Sequence, residues 1–160
     1  MESVYIETTI ISYLVSRPSR DILIAAHQQM TFEWWTSRRD EFECYISQVV
    51  IDEIQAGDNE AAEKRMKEIE DLAVLEVTTE AESLTESIIQ DGVIPKRAVR
   101  DAAHIAVATV NGVDYLLTWN CRHLANAQII RKVSLICNRE GYSMPVICTP
   151  EELMGVQNNV

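Results

Sequence analysis

The stretch from Arg100 to Val110 constrains the fold more than any other part of the chain. It reads Arg-Asp-Ala-Ala-His-Ile-Ala-Val-Ala-Thr-Val, apolar on nearly every side at helical spacing, and a helix that is apolar all round is a buried one. Other elements must therefore close over it. Asp101 and His104 stand three residues apart, so they share one face of this helix. An ionised carboxylate taken out of water needs a counter-charge, which a basic side chain or a metal ion supplies. For Asp101 the bland option is an ion pair with Arg97 or Arg100.

What covers the helix follows from reading the chain in order. Ser3–Ile6 is a short β-type run that ends in Glu7-Thr8-Thr9, and Ile10–Val15 continues as a helix broken at Arg17-Pro18. Residues 21–37 repeat apolar side chains at helical spacing. Glu43–Ile46 is a second strand, with Ser47 as N-cap of a helix over 48–56 that stops at Gly57-Asp58. Asn59 is placed to cap a charged helix reaching about Leu72, and Ala73–Val77 is a third strand. Thr79 and Glu82 have capping-box spacing for a helix to about Gln90. After the buried helix and Asn111-Gly112 come a fourth strand over Asp114–Thr118, a loop over Trp119–His123 and a partly helical stretch from Leu124 to Cys137. Pro145–Cys148 is the last strand, and Thr149-Pro150-Glu151-Glu152 has the pattern of a final helix start. Strands that alternate with helices predict a parallel sheet covered on both faces, a three-layer α/β/α sandwich with a central, mainly parallel sheet.

In such a sheet ligands bind outside the carboxyl ends of the strands. Glu7 and the Thr118–Asn120 segment fall at such ends, and Glu53 and Asp101 lie in the first turns of helices able to flank them. Four oxygen-bearing positions from four distant segments are thereby expected to converge. A carboxylate cluster without a strong base suits a hard divalent cation, Mg²⁺ or Mn²⁺. An ion held there polarises a phosphate oxygen and acidifies a bound water, which is the chemistry of phosphodiester hydrolysis.

Charge restricts the partners. The 160 residues carry a net charge of -11, and phosphate binding across a broad surface depends on Lys and Arg. Contact with nucleic acid therefore needs a local rim of cations. Arg17, Arg20, Lys96, Arg97, Arg100 and Arg122 fall in loops or helix starts near the expected pocket mouth, and each has ordinary surface charge as its alternative. Trp119 is placed either to stack on a base or to pack beneath its loop. No apolar run approaches a bilayer span, no secretory leader pattern opens the chain, and the four cysteines are scattered without a C-x-x-C. These features predict one cytoplasmic domain over 1–160 with reduced thiols.

Four segments together carry a resemblance. They are Tyr5-Ile6-Glu7-Thr8-Thr9, Val50-Ile51-Asp52-Glu53-Ile54, Arg100-Asp101-Ala102-Ala103-His104 and Tyr115-Leu116-Leu117-Thr118-Trp119-Asn120. In order and spacing the chain resembles the PIN-domain family, which includes toxin nucleases of the VapC type. The resemblance implies endoribonuclease activity with Mg²⁺ or Mn²⁺ at an acidic pocket, and a homodimer restrained by an antitoxin protein. Its catalytic set would be Glu7, Glu53, Asp101 and Asn120, with Glu7 and Asp101 on the metal. Thr8, Thr118 and His104 would support them, and Arg17, Arg20, Arg97 and Arg122 would meet the RNA substrate. Two positions depart from the family pattern: Glu7 and Asn120 stand where aspartates are usual. Glu7 keeps the charge on a longer arm, whereas Asn120 keeps an oxygen and loses the charge. A PIN-like module that binds RNA or a protein without cutting is therefore the alternative. A receiver-type phosphotransfer domain is disfavoured, because no paired acids follow the first strand and no lysine follows a late one.

His104 is expected to be a core or supporting histidine bonded near Asp101, not a general base. Cys121 and His123 are too few for a zinc site. Asp52 is expected to face solvent, and Asp114 to start its strand in a structural role.

Overall fold

The computed structural model describes residues 1–156. Five parallel strands, β1 (Ser3–Ile6), β2 (Glu43–Ser47), β3 (Ala73–Leu75), β4 (Tyr115–Leu117) and β5 (Val146–Cys148), lie in the order β3-β2-β1-β4-β5. Register is set by Tyr5 opposite Tyr45 on one side and Leu116 on the other. β1 is central, and its Val4, Tyr5 and Ile6 are completely buried, as a strand covered on both faces requires.

Seven helices complete the layers: α1 (Thr8–Val15), α2 (Ile22–Ser37), α3 (Gln48–Gln55), α4 (Asn59–Glu68), α5 (Thr79–Gln90), α6 (Val99–Val110) and α7 (Ala127–Arg139). Crossovers between parallel strands are right-handed, so chain segments running toward β3 and toward β5 cover opposite faces. Helices α1 to α4 pack together on one face, and α5, α6 and α7 on the other. The three-layer expectation holds.

The helix that opened the argument is α6, and its buried residues include Ala102, His104, Ile105, Ala106, Val107 and Ala108. Its small side chains let it lie close against α5, which offers Ala81, Leu84 and Ile88. Gly112, at φ 67°, turns the chain out of α6 in a conformation that a side chain would strain.

Several termini differ from expectation. Asp58, not Asn59, caps α4 by accepting from the Ala61 amide, and that helix ends at Glu68, short of Leu72. Thr78, not Thr79, caps α5 through the Ala81 amide. The final helix does not form among the described residues. Thr149 and Glu152 make the reciprocal capping-box bonds, but only a turn follows them. The Leu153 carbonyl accepts from the Trp34 indole, and Gly155 turns away at φ 90°. Asp114 behaves as expected, since its carboxylate ties the start of β4 to the Ser3 amide and hydroxyl beside it.

Candidate active site

β1 lies between β2, reached first along the chain, and β4, reached only two crossovers after β2. The sheet thus reverses its direction of growth at β1 and β4, and the carboxyl ends of such a pair are where an open parallel sheet has its ligand crevice. Glu7 directly follows β1, and its amide bonds to the Leu117 carbonyl of β4. Its carboxylate is 2% exposed. One oxygen, Oε1, accepts from the Thr9 amide at 3.2 Å, the Thr9 hydroxyl at 2.5 Å and the Thr118 hydroxyl at 2.6 Å. Glu7 thereby caps α1 while being held from β4. Its other oxygen, Oε2, makes no hydrogen bond and lies 4.0 Å from Nε2 of His104.

Glu53 reaches the same place from α3. Its Oε1 accepts from the Thr8 hydroxyl at 2.8 Å and meets His104 Nε2 at 2.5 Å. His104, fully buried on α6, is fixed from behind by the Tyr5 hydroxyl at 2.6 Å, which itself touches the Ser47 hydroxyl at 2.7 Å. A ring nitrogen that close to a carboxylate oxygen must carry the proton between them. A relay Ser47–Tyr5–His104–Glu53 therefore crosses the floor of the crevice.

The electrostatics follow from burial set against pairing. Burial pushes the Glu7 carboxyl above its usual range, and His104, Thr118 and Thr9 only partly oppose this. Burial acts the same way on Glu53, but the hydrogen bond and charge of His104, the Thr8 bond and the Arg100 charge outweigh it, so Glu53 is lowered. For His104 burial favours the neutral ring, yet the Glu53 bond and the charges of Glu7, Glu53 and Asp101 prevail and raise it.

Ligand atoms of Glu7, Glu53 and His104 all lie within 4.8 Å of one another. Asp101 stands outside this trio. Its Oδ2 meets Nδ1 of His123 at 2.9 Å, and Oδ1 makes no hydrogen bond. The expected partnership of His104 with Asp101 is thus corrected: His104 bonds Glu53 and Tyr5, and Asp101 takes His123. The tight Ala-rich packing of α6 turns His104 under the strand ends, whereas Asp101, one turn earlier, emerges at the rim.

Asn120 follows β4 as expected, but its side-chain oxygen accepts from the backbone amides of Arg122 and His123 at 3.2 and 3.0 Å. It shapes the loop that presents His123 to Asp101. Thr8 and Thr118 each hold one of the two glutamates. Trp119 packs beneath its loop, stacked on His27 at 3.9 Å with its indole N–H donated to Thr31. Arg17, Arg20, Arg97 and Arg122 are exposed, and none forms an ion pair among the described residues. Sequence reasoning missed Tyr5, Ser47 and Thr9 and rejected His123. The available signal was Tyr5 itself, because a tyrosine at the centre of a buried strand needs a partner for its hydroxyl.

The donor set fits a hard divalent cation. Among the described residues Glu7 Oε2 and Glu53 Oε2 make no hydrogen bonds, while each partner oxygen is anchored by hydroxyl, amide or imidazole, and Asp101 at the rim likewise has one oxygen bonded to His123 and one without a partner. Oxygen ligands so supported are what Mg²⁺ or Mn²⁺ require.

No family model and no curated protein matches the sequence. Solved structures do match the fold. The chain superimposes with a TM-score of 0.60 on a chain of VapBC2 from Rickettsia felis, crystallised with a DNA fragment from their promoter. The alignment covers 91% of this chain and 97% of that one at 12% identity. The fold is PIN-like. A second similar structure is VapC20 of Mycobacterium tuberculosis, described as a Sarcin-Ricin loop cleaving toxin, with 18% identity, coverage of 71% and 87%, and a TM-score of 0.49. The first of these carries the fold. In the PIN-like sheet, the crevice at β1 and β4 is where the acids stand.

Proposed function

We propose that the chain is a divalent-metal-dependent endoribonuclease that hydrolyses RNA phosphodiester bonds, and that it is the toxin of a type II toxin–antitoxin pair. The observation that carries the reading is the convergence of Glu7 and Glu53 with His104 at one end of a parallel sheet, each glutamate with an anchored oxygen and a free one, while Asp101 is held beside them at the rim by His123. The similarity to a VapBC2 chain supports the toxin assignment with an antitoxin protein as partner, and a homodimer as the working state is part of the same proposal.

In this reading the three acids hold Mg²⁺ or Mn²⁺, and Asn120 sets the loop over them. When bound, the ion polarises the scissile phosphate and lowers the pKa of the attacking water. The chain's own groups do the rest. Thr118 and Thr9 fix the direction of the Glu7 carboxylate, and Thr8 and His104 fix that of Glu53. Tyr5 and Ser47 hold the His104 ring. Arg97 and Arg122 meet the RNA backbone around the mouth, and Arg17 and Arg20, in the loop beyond the far end of α1, meet it away from the crevice. No helix among the described residues is long and apolar enough to cross a membrane. The four thiols are free, which suits a reducing cytoplasm.

One observation favours a second reading. His104 Nε2 lies 2.5 Å from Glu53 and 4.0 Å from Glu7, and these charges raise its pKa, so the protonated ring would supply a counter-charge without any ion. With Asn120 committed to its loop, a PIN-like module that binds RNA or a protein without cutting is consistent with the same site. Cleavage decides between them. Single-stranded and structured RNA are incubated with the purified protein in Mg²⁺, Mn²⁺ and EDTA, with Asp101→Asn purified alongside. Cation-dependent cutting that disappears in the variant supports the nuclease. Equal cutting by both proteins points to a contaminant, and no cutting by either in any cation leaves the binding module.

A further inference from the structure

A cleft of about 250 Å³ opens between the C-terminal end of α1 and the first two turns of α4. Arg17, Lys64 and Arg65 line it together with Asp58 and Glu60, so cations outnumber acids here on a chain of net charge -11. The acids are already engaged. Asp58 caps α4, and Glu60 faces Lys64 at 3.7 Å on the open surface. Arg17 and Arg65 form no ion pair among the described residues, and Nε of Arg65 is out of solvent without a hydrogen-bond partner. A buried donor left unpaired costs about 1–3 kcal/mol, and an arginine fork is the group that meets a phosphate through two parallel bonds. The negative end of α1 and the positive end of α4 meet at the cleft and offset each other, so the side chains decide its sign.

The position of the cleft matters as much as its charge. α1 begins at Thr8, next to Glu7, and the chain leaving Glu53 in α3 turns at Gly57 into α4. A Cβ on Gly57 would stand 3.4 Å from the Arg65 guanidinium, so that head group lies over the α3–α4 corner. The cleft is therefore walled by α1, whose first residue adjoins Glu7, and by α4, which follows the helix that carries Glu53, and it lies at the far end of α1 from the crevice. Eight residues of helix separate them, a distance of about 12 Å at 1.5 Å per residue. At about 3.4 Å per nucleotide of a stacked strand this is three to four nucleotides.

We propose that this cleft is a second contact on the substrate, where Arg17, Lys64 and Arg65 take an RNA backbone phosphate a few nucleotides from the bond cut at the acidic crevice. The proposal rests on the ribonuclease reading and adds to it a minimum substrate length. A strand too short to reach from crevice to cleft gains nothing from these residues.

The test is binding of labelled single-stranded RNA of 3 and 12 nucleotides by fluorescence anisotropy. A Glu7→Gln background prevents cleavage. Arg65→Gln and the exposed-charge reversal Lys64→Glu are introduced into it, and thermal melts check that both remain folded. The 12-mer is expected to bind about five- to tenfold more weakly in either variant. Its dependence of log affinity on log salt should be shallower by about 0.7 per lost phosphate contact. The 3-mer should be indifferent. Unchanged 12-mer affinity and slope in folded variants overturn the cleft while leaving the ribonuclease reading intact. A Glu7→Gln parent that binds neither RNA overturns both. If inorganic phosphate raises the melting temperature in an Arg65-dependent way while 12-mer binding ignores Arg65, the cleft is a free-anion site and the RNA proposal fails.

Discussion

At the scale of single residues, Glu7 and Asn120 are held in different ways. Glu7, longer than an aspartate, folds back to cap α1, and three donors converge on one of its oxygens. Thr118→Val removes the one donor that comes from β4. A buried carboxylate oxygen then loses a bond, which costs about 1–3 kcal/mol. Divalent-cation affinity should fall about 10- to 100-fold, as is typical when the support of a ligand is removed. Titration of Mn²⁺ by calorimetry checks this, and unchanged affinity would mean that Thr118 does not aim Glu7. Asn120 poses the opposite case. Its acceptor oxygen holds two loop amides, so Asn120→Ala should destabilise by about 0.5–2 kcal/mol, as loss of a helix-capping acceptor does. Asn120→Asp keeps the acceptor and should preserve the melting temperature to within a degree or two. If Asp is as damaging as Ala, the loop is not held by this oxygen. The sequence made the acids legible because carboxylates at strand ends are locally conspicuous. The Asp101–His123 pair spans 22 positions of the chain and the Tyr5–His104 bond 99, and no local pattern encodes which of two histidines faces which acid.

At the scale of elements, α6 positions the site because it is packed on almost every side. Its alanines are the reason it lies close to α5, and its depth sets where Asp101 and His104 emerge. Ala106 is completely buried, so Ala106→Leu inserts three carbon atoms where there is no room. Overpacking of this kind costs about 1–3 kcal/mol. Urea denaturation should show a lower midpoint with an unchanged slope, and cation affinity should fall as well, because the helix must move. A variant destabilised to that extent with full cation affinity would show that α6 is not what sets the site. The alternation of strands and helices was legible in the sequence, since apolar period and Gly or Pro punctuation are local signals. Cap positions were off by one at α4 and α5, because Asp58 and Thr78 precede residues of equal capping preference and only the packing of the helix selects between them. Where the sequence predicts a final helix, the described residues make only a turn, and the Leu153 carbonyl there bonds the distant Trp34 indole, a partner that no local pattern announces.

At the scale of the whole molecule, the relay through His104 makes the stability of the metal-free protein depend on pH with a definite sign. His104 is raised in the folded state from an ordinary value of 6.5. The stability it contributes is fully present below 6.5 and is lost as pH rises through the folded value. Glu53 is lowered from 4.5, so its contribution is present above 4.5 and is lost only as pH falls through its folded value. Glu7 is raised from 4.5, which favours its protonated form and makes stability decline as pH rises from 4.5 through its folded value. Between 6.5 and the folded value the unfolded chain gives up this proton while the folded ring keeps it, so stability falls across that window; above the folded value the two glutamates no longer have the imidazolium between them. The melting temperature in EDTA should therefore peak below about pH 6.5 and decline above it, by about 1.4 kcal/mol for each unit by which His104 is raised. His104→Gln should flatten the profile above 6.5, which separates this histidine from the repulsion of a net charge of -11. A cation that binds the carboxylates takes over the role of the proton, so Mn²⁺ should stabilise the protein more at pH 8 than at pH 6. Melting curves from pH 5 to 9, in EDTA and in Mn²⁺, test both halves. A wild-type profile in EDTA that is level from 6.5 upward, or that falls equally in His104→Gln, would mean that the imidazole is not the counter-charge of the crevice.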